Sequence, residues 1–275
     1  MKLIDGKQIA KDIIRQVADE IIDQKLKVGL AVVLIGNDSA SELYVKLKNK
    51  ACNKVGIDFH LYRFPDDVTT QQVIDGIKFL NEDTDINAIL VQLPLPSDLD
   101  TKRIITAIDP KKDVDGFHPD NIKKYTNGQT DFLPGLNEGI NILLESTNQS
   151  LIDKKICILA NSDEFAEPLE KYFINKGYTA SHIHLDDKDW IERTKQADIL
   201  ITAVGKPLLI TEENIKKDAI IIDVGTNRLT KNTIVGDVDF DSVCEKCSFI
   251  TPVPGGVGPM TIAMLLKNSV KLTQQ

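Results

Sequence analysis

One stretch of the chain places a hydroxyl, a phenol and an amine at helical spacing. Ser41, Tyr44 and Lys48 stand at i, i+3 and i+7, so one helix face would aim the phenol and the ammonium at the same space. That is material for a catalytic lysine. On pattern alone the commoner reading wins, with Lys46, Lys48, Lys50 and Lys54 as solvated lysines. Gln92 closes an apolar run, where it could simply cap a strand end, and Asp115-Gly116 is an ordinary turn pair. The segment Pro254-Gly255-Gly256-Val257-Gly258-Pro259 reads as a rigid loop opening a helix. It lacks the Lys-Ser/Thr that a phosphate-cradling P-loop requires. Cys244 and Cys247 form half of a zinc site with no second pair after them, and no spacing among His60, His118, His182 and His184 makes a four-ligand set. No metal is expected, and the two thiols read as free groups near a loop.

These residues need elements to hold them. Leu30 to Ile35 is wholly apolar, as a buried parallel strand should be. A helix capped by Ser39 or Ser41 follows and ends before Gly56, with Leu43, Leu47 and Ala51 at four-residue spacing facing the core. Strand Ile57–Phe64, helix Thr69–Asn81 and strand Ala88–Gln92 come next. Residues 109–130 are rich in Asp, Lys, Asn, Gly and Pro and read as a crossing between two lobes. After a helix from about Pro134 to Leu144 the alternation restarts, with strands at Lys155–Ala160, Thr179–His184, Asp198–Ala203 and Ala219–Val224. Helices Glu164–Asn175 and Lys188–Lys195 lie between them, and a final helix follows Pro259. Alternating strands and helices predict an α/β fold with parallel sheets.

The bulk composition fits. The 275 residues are 42% hydrophobic and 27% charged, ordinary for a soluble globular protein, and the net charge of -8 comes without a dense Lys/Arg block. No nucleic-acid partner is expected. No apolar run approaches the roughly 20 residues of a membrane helix. Met1-Lys2-Leu3-Ile4-Asp5-Gly6 is not a signal peptide. A cytoplasmic protein is the expectation.

Four longer motifs carry a resemblance. They are Gly36-Asn37-Asp38-Ser39-Ala40-Ser41-Glu42-Leu43-Tyr44-Val45-Lys46-Leu47-Lys48, Ile89-Leu90-Val91-Gln92-Leu93-Pro94-Leu95-Pro96, Pro110-Lys111-Lys112-Asp113-Val114-Asp115-Gly116-Phe117-His118-Pro119, and Thr251-Pro252-Val253-Pro254-Gly255-Gly256-Val257-Gly258-Pro259-Met260-Thr261. In this order they resemble the signatures of the bifunctional methylenetetrahydrofolate dehydrogenase/methenyltetrahydrofolate cyclohydrolase family. The resemblance implies NAD(P)-dependent oxidation of methylenetetrahydrofolate, hydrolysis of the methenyl product to 10-formyltetrahydrofolate, and a place in one-carbon metabolism feeding purine biosynthesis. It also implies a homodimer and two lobes with the active site in the cleft between them. Residues 1–120, completed by helix 257–275, would form the folate-binding catalytic domain, and 121–256 a Rossmann-like domain. Lys48, Tyr44, Gln92 and Asp115 become the catalytic set. Lys48 is the base, held by Gln92; Tyr44 stacks on the substrate; Asp115 accepts the pterin's N–H donors. Ser41, Tyr44, Asp115, Pro254, Gly255 and Gly256 would bind substrate.

The second lobe departs from the pattern. The resemblance implies NADP, held where the family reads Gly-Arg-Ser-x-x-Val-Gly-x-Pro. This chain reads Ala160-Asn161-Ser162-Asp163-Glu164-Phe165-Ala166-Glu167-Pro168. The expected cofactor positions are Ala160, Asn161, Ser162 and Thr226, mostly substituted. Asp186 and Asp187 follow the next strand, where a Rossmann acid holds the ribose 2′-hydroxyl and repels a 2′-phosphate. NAD becomes the alternative cofactor. Two alternative functions follow: a cyclohydrolase with weak, NAD-dependent or lost dehydrogenase activity, and a folate-binding scaffold without turnover.

Overall fold

The computed structural model describes residues 1–130, 132–230 and 233–275. Two compact units emerge: residues 11–123 with 262–275, and residues 1–10 with 124–261. The chain begins with β1 (Lys2–Leu3) and α1 (Gly6–Gln24), neither of which the sequence patterns had marked.

The unit holding residues 11–123 is built on β2 (Gly29–Ile35), α2 (Ser39–Val55), β3 (Asp58–Phe64), α3 (Thr70–Glu82), β4 (Ala88–Val91) and α4 (Thr101–Thr106). Its parallel sheet has the order β3-β2-β4. The central strand β2 is buried at every residue, which explains its unbroken apolar sequence. The edge strand β3 alternates in exposure, so polar residues are tolerated there. Ile77, Leu80, Ile89 and Ile104 pack into one core with Ala31 and Val33. Truncating the fully buried Ile77 to Ala would cost ~2–5 kcal/mol.

Two expectations for α2 are corrected. Its cap is Asp38, whose carboxylate accepts from Ser41 N at 2.7 Å, not Ser39 or Ser41. Its core face is Ser41, Val45, Cys52 and Val55, whereas Leu43 and Leu47 are 51% and 43% exposed. Four-residue spacing marks two stripes on this helix, and the larger side chains lie on the outer one. Residues 109–130 also hold more structure than a bare crossing, because α5 (Pro119–Thr126) forms within them.

In the other unit α6 (Gly135–Glu145) precedes β5 (Lys155–Ala160), α7 (Asp163–Asn175), β6 (Thr179–Ile183), α8 (Trp190–Gln196), β7 (Ile199–Ala203) and β8 (Ile220–Asp223). A short hairpin, β9 (Asn227–Arg228) with β10 (Ile234–Val235), then leads to α9 (Phe240–Val243) and β11 (Phe249–Ile250). The six-stranded sheet has the order β1-β11-β8-β7-β5-β6, parallel throughout. From β5 the chain steps out to β6, then crosses back to β7 on the opposite side of β5. That reversal is the switch point at which open α/β sheets bind ligands.

Two buried carboxylates shape this end of the sheet. Asp223 accepts from the backbone N–H groups of Gly225, Asp237 and Val238 at 2.9–3.0 Å. Asp237 accepts from Val204 N at 2.7 Å and Lys206 N at 3.0 Å. A Cβ on Gly236 would overlap the Asp223 carboxylate, so glycine is required there.

The last helix, α10 (Val257–Thr273), begins before Pro259, which sits in its first turn.

Candidate functional site

In the first unit the end of β4 and the middle of α2 converge. Lys48 Nζ donates to Gln92 Oε1 at 2.8 Å. The Gln92 amide donates to the carbonyl of Leu93 at 2.6 Å, which fixes its oxygen toward Lys48. Lys48 lies one turn beyond Val45 and one before Cys52, on the buried stripe of α2. The helix therefore carries an ammonium under cover. Burial lowers the Lys48 pKa, opposed by the nearby charge of Asp115.

Asp115 follows a segment running beside β4, where Ile89 N donates to Lys112 O at 2.7 Å. Burial pushes its carboxyl up to about 6; Lys48 pulls it down and Asp113 pushes it up. Asp113 went unassigned in the sequence. It is 1% exposed and accepts from Gly116 N at 3.1 Å, His118 N at 2.7 Å and Asn121 Nδ2 at 3.0 Å. Those bonds close the turn presenting Asp115, and Gly116 supplies its positive φ of 76°. Asn268 clamps the same segment, donating to Val114 O at 3.1 Å. Asp-x-Asp-Gly was the available signal: its first carboxylate builds the loop and its second faces the site.

Tyr44, one turn before Lys48 on α2, is 47% exposed and has ring surface to offer. Ser41 is buried, its N–H committed to Asp38. Lys48, Gln92, Asp115 and Tyr44 are thus brought into one unit. Pro254, Gly255 and Gly256 lie in the other unit, on the turn between β11 and α10. There Gly255 O accepts from Lys7 N at 2.8 Å, and a Cβ on Gly256 would crowd Thr251 and Pro252.

The expected cofactor positions stand at the carboxyl ends of β5 and β8. Ala160 is buried and Thr226 exposed. Asn161 spans the switch point, its Nδ2 donating to Val204 O at 2.5 Å. Ser162 caps α7, its Oγ accepting from Phe165 N at 3.4 Å and donating to Glu164 Oε2 at 2.8 Å. Glu164 folds back over the helix's own N-terminus, and its backbone N–H and Ser162 hold its pKa below the usual range. A negative charge there is favoured by the helix dipole, as a phosphate would be. Asp187 is engaged in its own turn, accepting from His184 N at 2.9 Å. Asp186 is exposed.

The sheet fits a dinucleotide, since Asn161 and Ser162 stand at its switch point. Among the expected cofactor residues none is a cation for a 2′-phosphate. The four cysteines are free thiols. No helix among the described residues is long and apolar enough to cross a membrane.

Comparison with known proteins covers both units. The catalytic-domain model of tetrahydrofolate dehydrogenase/cyclohydrolase matches residues 4–115, and its NAD(P)-binding-domain model matches residues 134–275. The bifunctional protein FolD of Nautilia profundicola is 44% identical over 274 residues, covering 98% of this chain and 96% of the relative. The crystal structure of the bifunctional FolD methylenetetrahydrofolate dehydrogenase/cyclohydrolase from Campylobacter jejuni superposes with a TM-score of 0.96 at 40% identity, covering 100% of this chain and 99% of that one. The Trypanosoma brucei enzyme, solved with NADP and an inhibitor, gives a TM-score of 0.93 at 31% identity, covering 99% of this chain and 97% of that one.

Proposed function

We propose a mechanism from one premise: the chain belongs to the tetrahydrofolate dehydrogenase/cyclohydrolase family. It is a bifunctional enzyme of folate one-carbon metabolism, with methylenetetrahydrofolate dehydrogenase and methenyltetrahydrofolate cyclohydrolase activities, and it carries an NAD(P)-binding domain.

Lys48 is the base of the hydrolytic step. Methenyltetrahydrofolate holds an electron-poor carbon between two nitrogens. Water adds to that carbon and must lose a proton. A lysine whose pKa is lowered by burial is neutral more often and accepts it. The cationic substrate lowers that pKa further. Gln92 orients the amine without adding a charge. Tyr44 offers a flat face to the substrate's rings, and Asp115 accepts hydrogen bonds from the pterin's N–H groups. Ser41 supports the start of α2, and Pro254, Gly255 and Gly256 are assigned to substrate binding from the family motif alone.

The dinucleotide, when bound, supplies the hydride acceptor. Asn161, Ser162 and Thr226 would hold it, and the protein need only present substrate carbon to nicotinamide. We assign a preference for NAD over NADP, supported by asparagine at position 161 and by Asp186 beyond β6. Assembly as a homodimer, a cytoplasmic setting and supply of purine biosynthesis belong to the same reading. Sedimentation at micromolar concentration checks the dimer.

The contact between Lys48 and Gln92 carries the hydrolytic assignment. The test is the pH profile of methenyltetrahydrofolate hydrolysis, corrected for the uncatalysed rate. A lysine base predicts that kcat rises with pH as Lys48 loses its proton. A profile unchanged by Lys48→Met would overturn the assignment.

A further inference from the structure

We propose that Asp163, His182 and His184 form a binding site for a zinc-class divalent cation, distinct from the Lys48 set.

The fold gathers these residues from two adjacent strand ends. His182 lies in β6 and His184 just after it, so the alternation of a strand turns both side chains to one face. Asp163 opens α7, after the neighbouring β5; Leu159 of β5 pairs with Ile183 of β6. Asp163 Oδ1 lies 2.9 Å from His184 Nε2 and 3.5 Å from His182 Nε2. One ligating atom from each residue lies within 4.8 Å of the others. A tetrahedral ion at ~2.0–2.2 Å from oxygen and imidazole nitrogen needs its ligands roughly 3.3 Å apart. The two carboxylate-to-imidazole spacings bracket that value, and Asp163 is exposed enough to adjust.

The surroundings of His182 set this apart from an ordinary ion pair. His182 Nδ1 is 2.8 Å from Glu170 Oε2, and its backbone N–H donates to Glu170 Oε1 at 3.2 Å. Glu170 is more covered than the three ligands and holds both ends of the residue. A carboxylate on Nδ1 places the ring proton there and leaves the Nε2 lone pair facing Asp163 and His184. This is the outer support that zinc-binding histidines commonly have. The two rings stand nearly perpendicular, at 83°, with their ligating nitrogens within 4.8 Å of each other. Two imidazoles and one carboxylate suit zinc or cobalt rather than magnesium or calcium, which prefer oxygen alone. Three protein ligands leave a fourth position open.

The experiment titrates the full-length, tag-free, metal-stripped protein with zinc by calorimetry and with cobalt by visible absorption. One ion per chain is expected, with a tetrahedral cobalt spectrum lacking thiolate charge-transfer bands. His182→Gln and His184→Gln should each weaken zinc binding by at least tenfold. Glu170→Gln, which touches no ion, should weaken it by ~10-fold through loss of orientation. Circular dichroism confirms that each variant is folded. Wild-type protein binding zinc no more tightly than His182→Gln would leave only an ion pair and overturn the site. Thiolate bands would do the same by placing the ion on Cys244 or Cys247.

Discussion

Helices α2 and α7 begin alike and end up doing different work. Each follows a buried parallel strand, and each has its first turn closed by a side chain, Asp38 on α2 and Ser162 on α7. On α2 the polar group that matters lies further in. Lys48 sits on the covered stripe, its amine held by Gln92 and its charge disfavoured by burial. On α7 the polar groups crowd the first turn in the open. Glu164 satisfies the helix's own N-terminus, and Asp163 turns to two histidines. One helix carries a titratable group under cover; the other holds a carboxylate of its own at its N-terminus. The same βα architecture thus covers a lysine in one unit and leaves its carboxylates open in the other.

The largest expected effect tests the first half of that contrast. Lys48→Met keeps the stem that fills its space and removes the base. Cyclohydrolase turnover should fall at least ~10²-fold, while calorimetric binding of NAD stays as in wild type. Near wild-type hydrolysis by the variant would remove Lys48 from the chemistry.

Next in size is Asp115→Ala, which should raise KM for folate substrates more than it lowers kcat. Loss of a charged hydrogen-bond partner costs ~1.5–3 kcal/mol. The sign of the pH effect is fixed by the upward shift. Recognition of pterin N–H donors needs the carboxylate, so substrate affinity should fall as pH drops through about 6. Stability runs the other way. The folded carboxyl holds its proton more tightly than the unfolded one, so Asp115 contributes a loss of stability as pH rises from its ordinary value toward about 6. Asp223, pushed up to about 7 chiefly by burial, extends that trend without touching substrate affinity. A KM for Asp115→Ala equal to wild type, or a wild-type KM that stays flat as pH drops through about 6, would take Asp115 out of the site.

How much of this was legible in the sequence depends on what kind of signal each part leaves. Strands β2, β4, β5, β7 and β8 announce themselves as apolar runs because both faces of each are covered. Lys48, Gln92 and Asp115 were visible only through their motifs; singly, each has a commonplace reading. The core stripe of α2 was misread because Leu43 and Leu47 are larger than Val45 and Cys52, and size does not say which stripe is covered. Short α4 and α5 and the two-residue β1 lack a repeating pattern to detect. Asp113 is spent on backbone N–H groups that no side-chain pattern records. His182-x-His184 did carry a signal, the two-residue period of a strand, but its third partner lies 19 residues before His182, on a neighbouring strand end.

NAD should bind more tightly than NADP by roughly tenfold, the scale of one missing charged contact to the 2′-phosphate. Asn161→Arg should narrow that gap. The rival arrangement, in which Lys206 or Arg228 meets the 2′-phosphate, would show as NADP binding at least as tight as NAD in the unaltered protein.

The smallest effect probes the start of α7 directly. Glu164 is exposed, so removing it should disturb little of the core. Its carboxylate accepts from Ser162 Oγ at 2.8 Å and places a negative charge beside the N–H groups that would otherwise meet a pyrophosphate. Two opposing terms decide Glu164→Gln. The helix loses a favourable charge at its N-terminus, worth ~0.3–1 kcal/mol. The bound dinucleotide loses a repulsive neighbour and gains N–H groups no longer shared with a carboxylate. The variant should therefore melt slightly lower on its own yet bind NAD about two- to fivefold more tightly, the same ~0.3–1 kcal/mol expressed as affinity. Raising the salt concentration should shrink the gain, because the repulsion is between exposed charges. Calorimetry on wild type and variant at two ionic strengths checks both parts. Equal affinities at low salt would mean that Glu164 does not stand in the phosphate's place, and α7 would then differ from α2 only in lacking a buried charge.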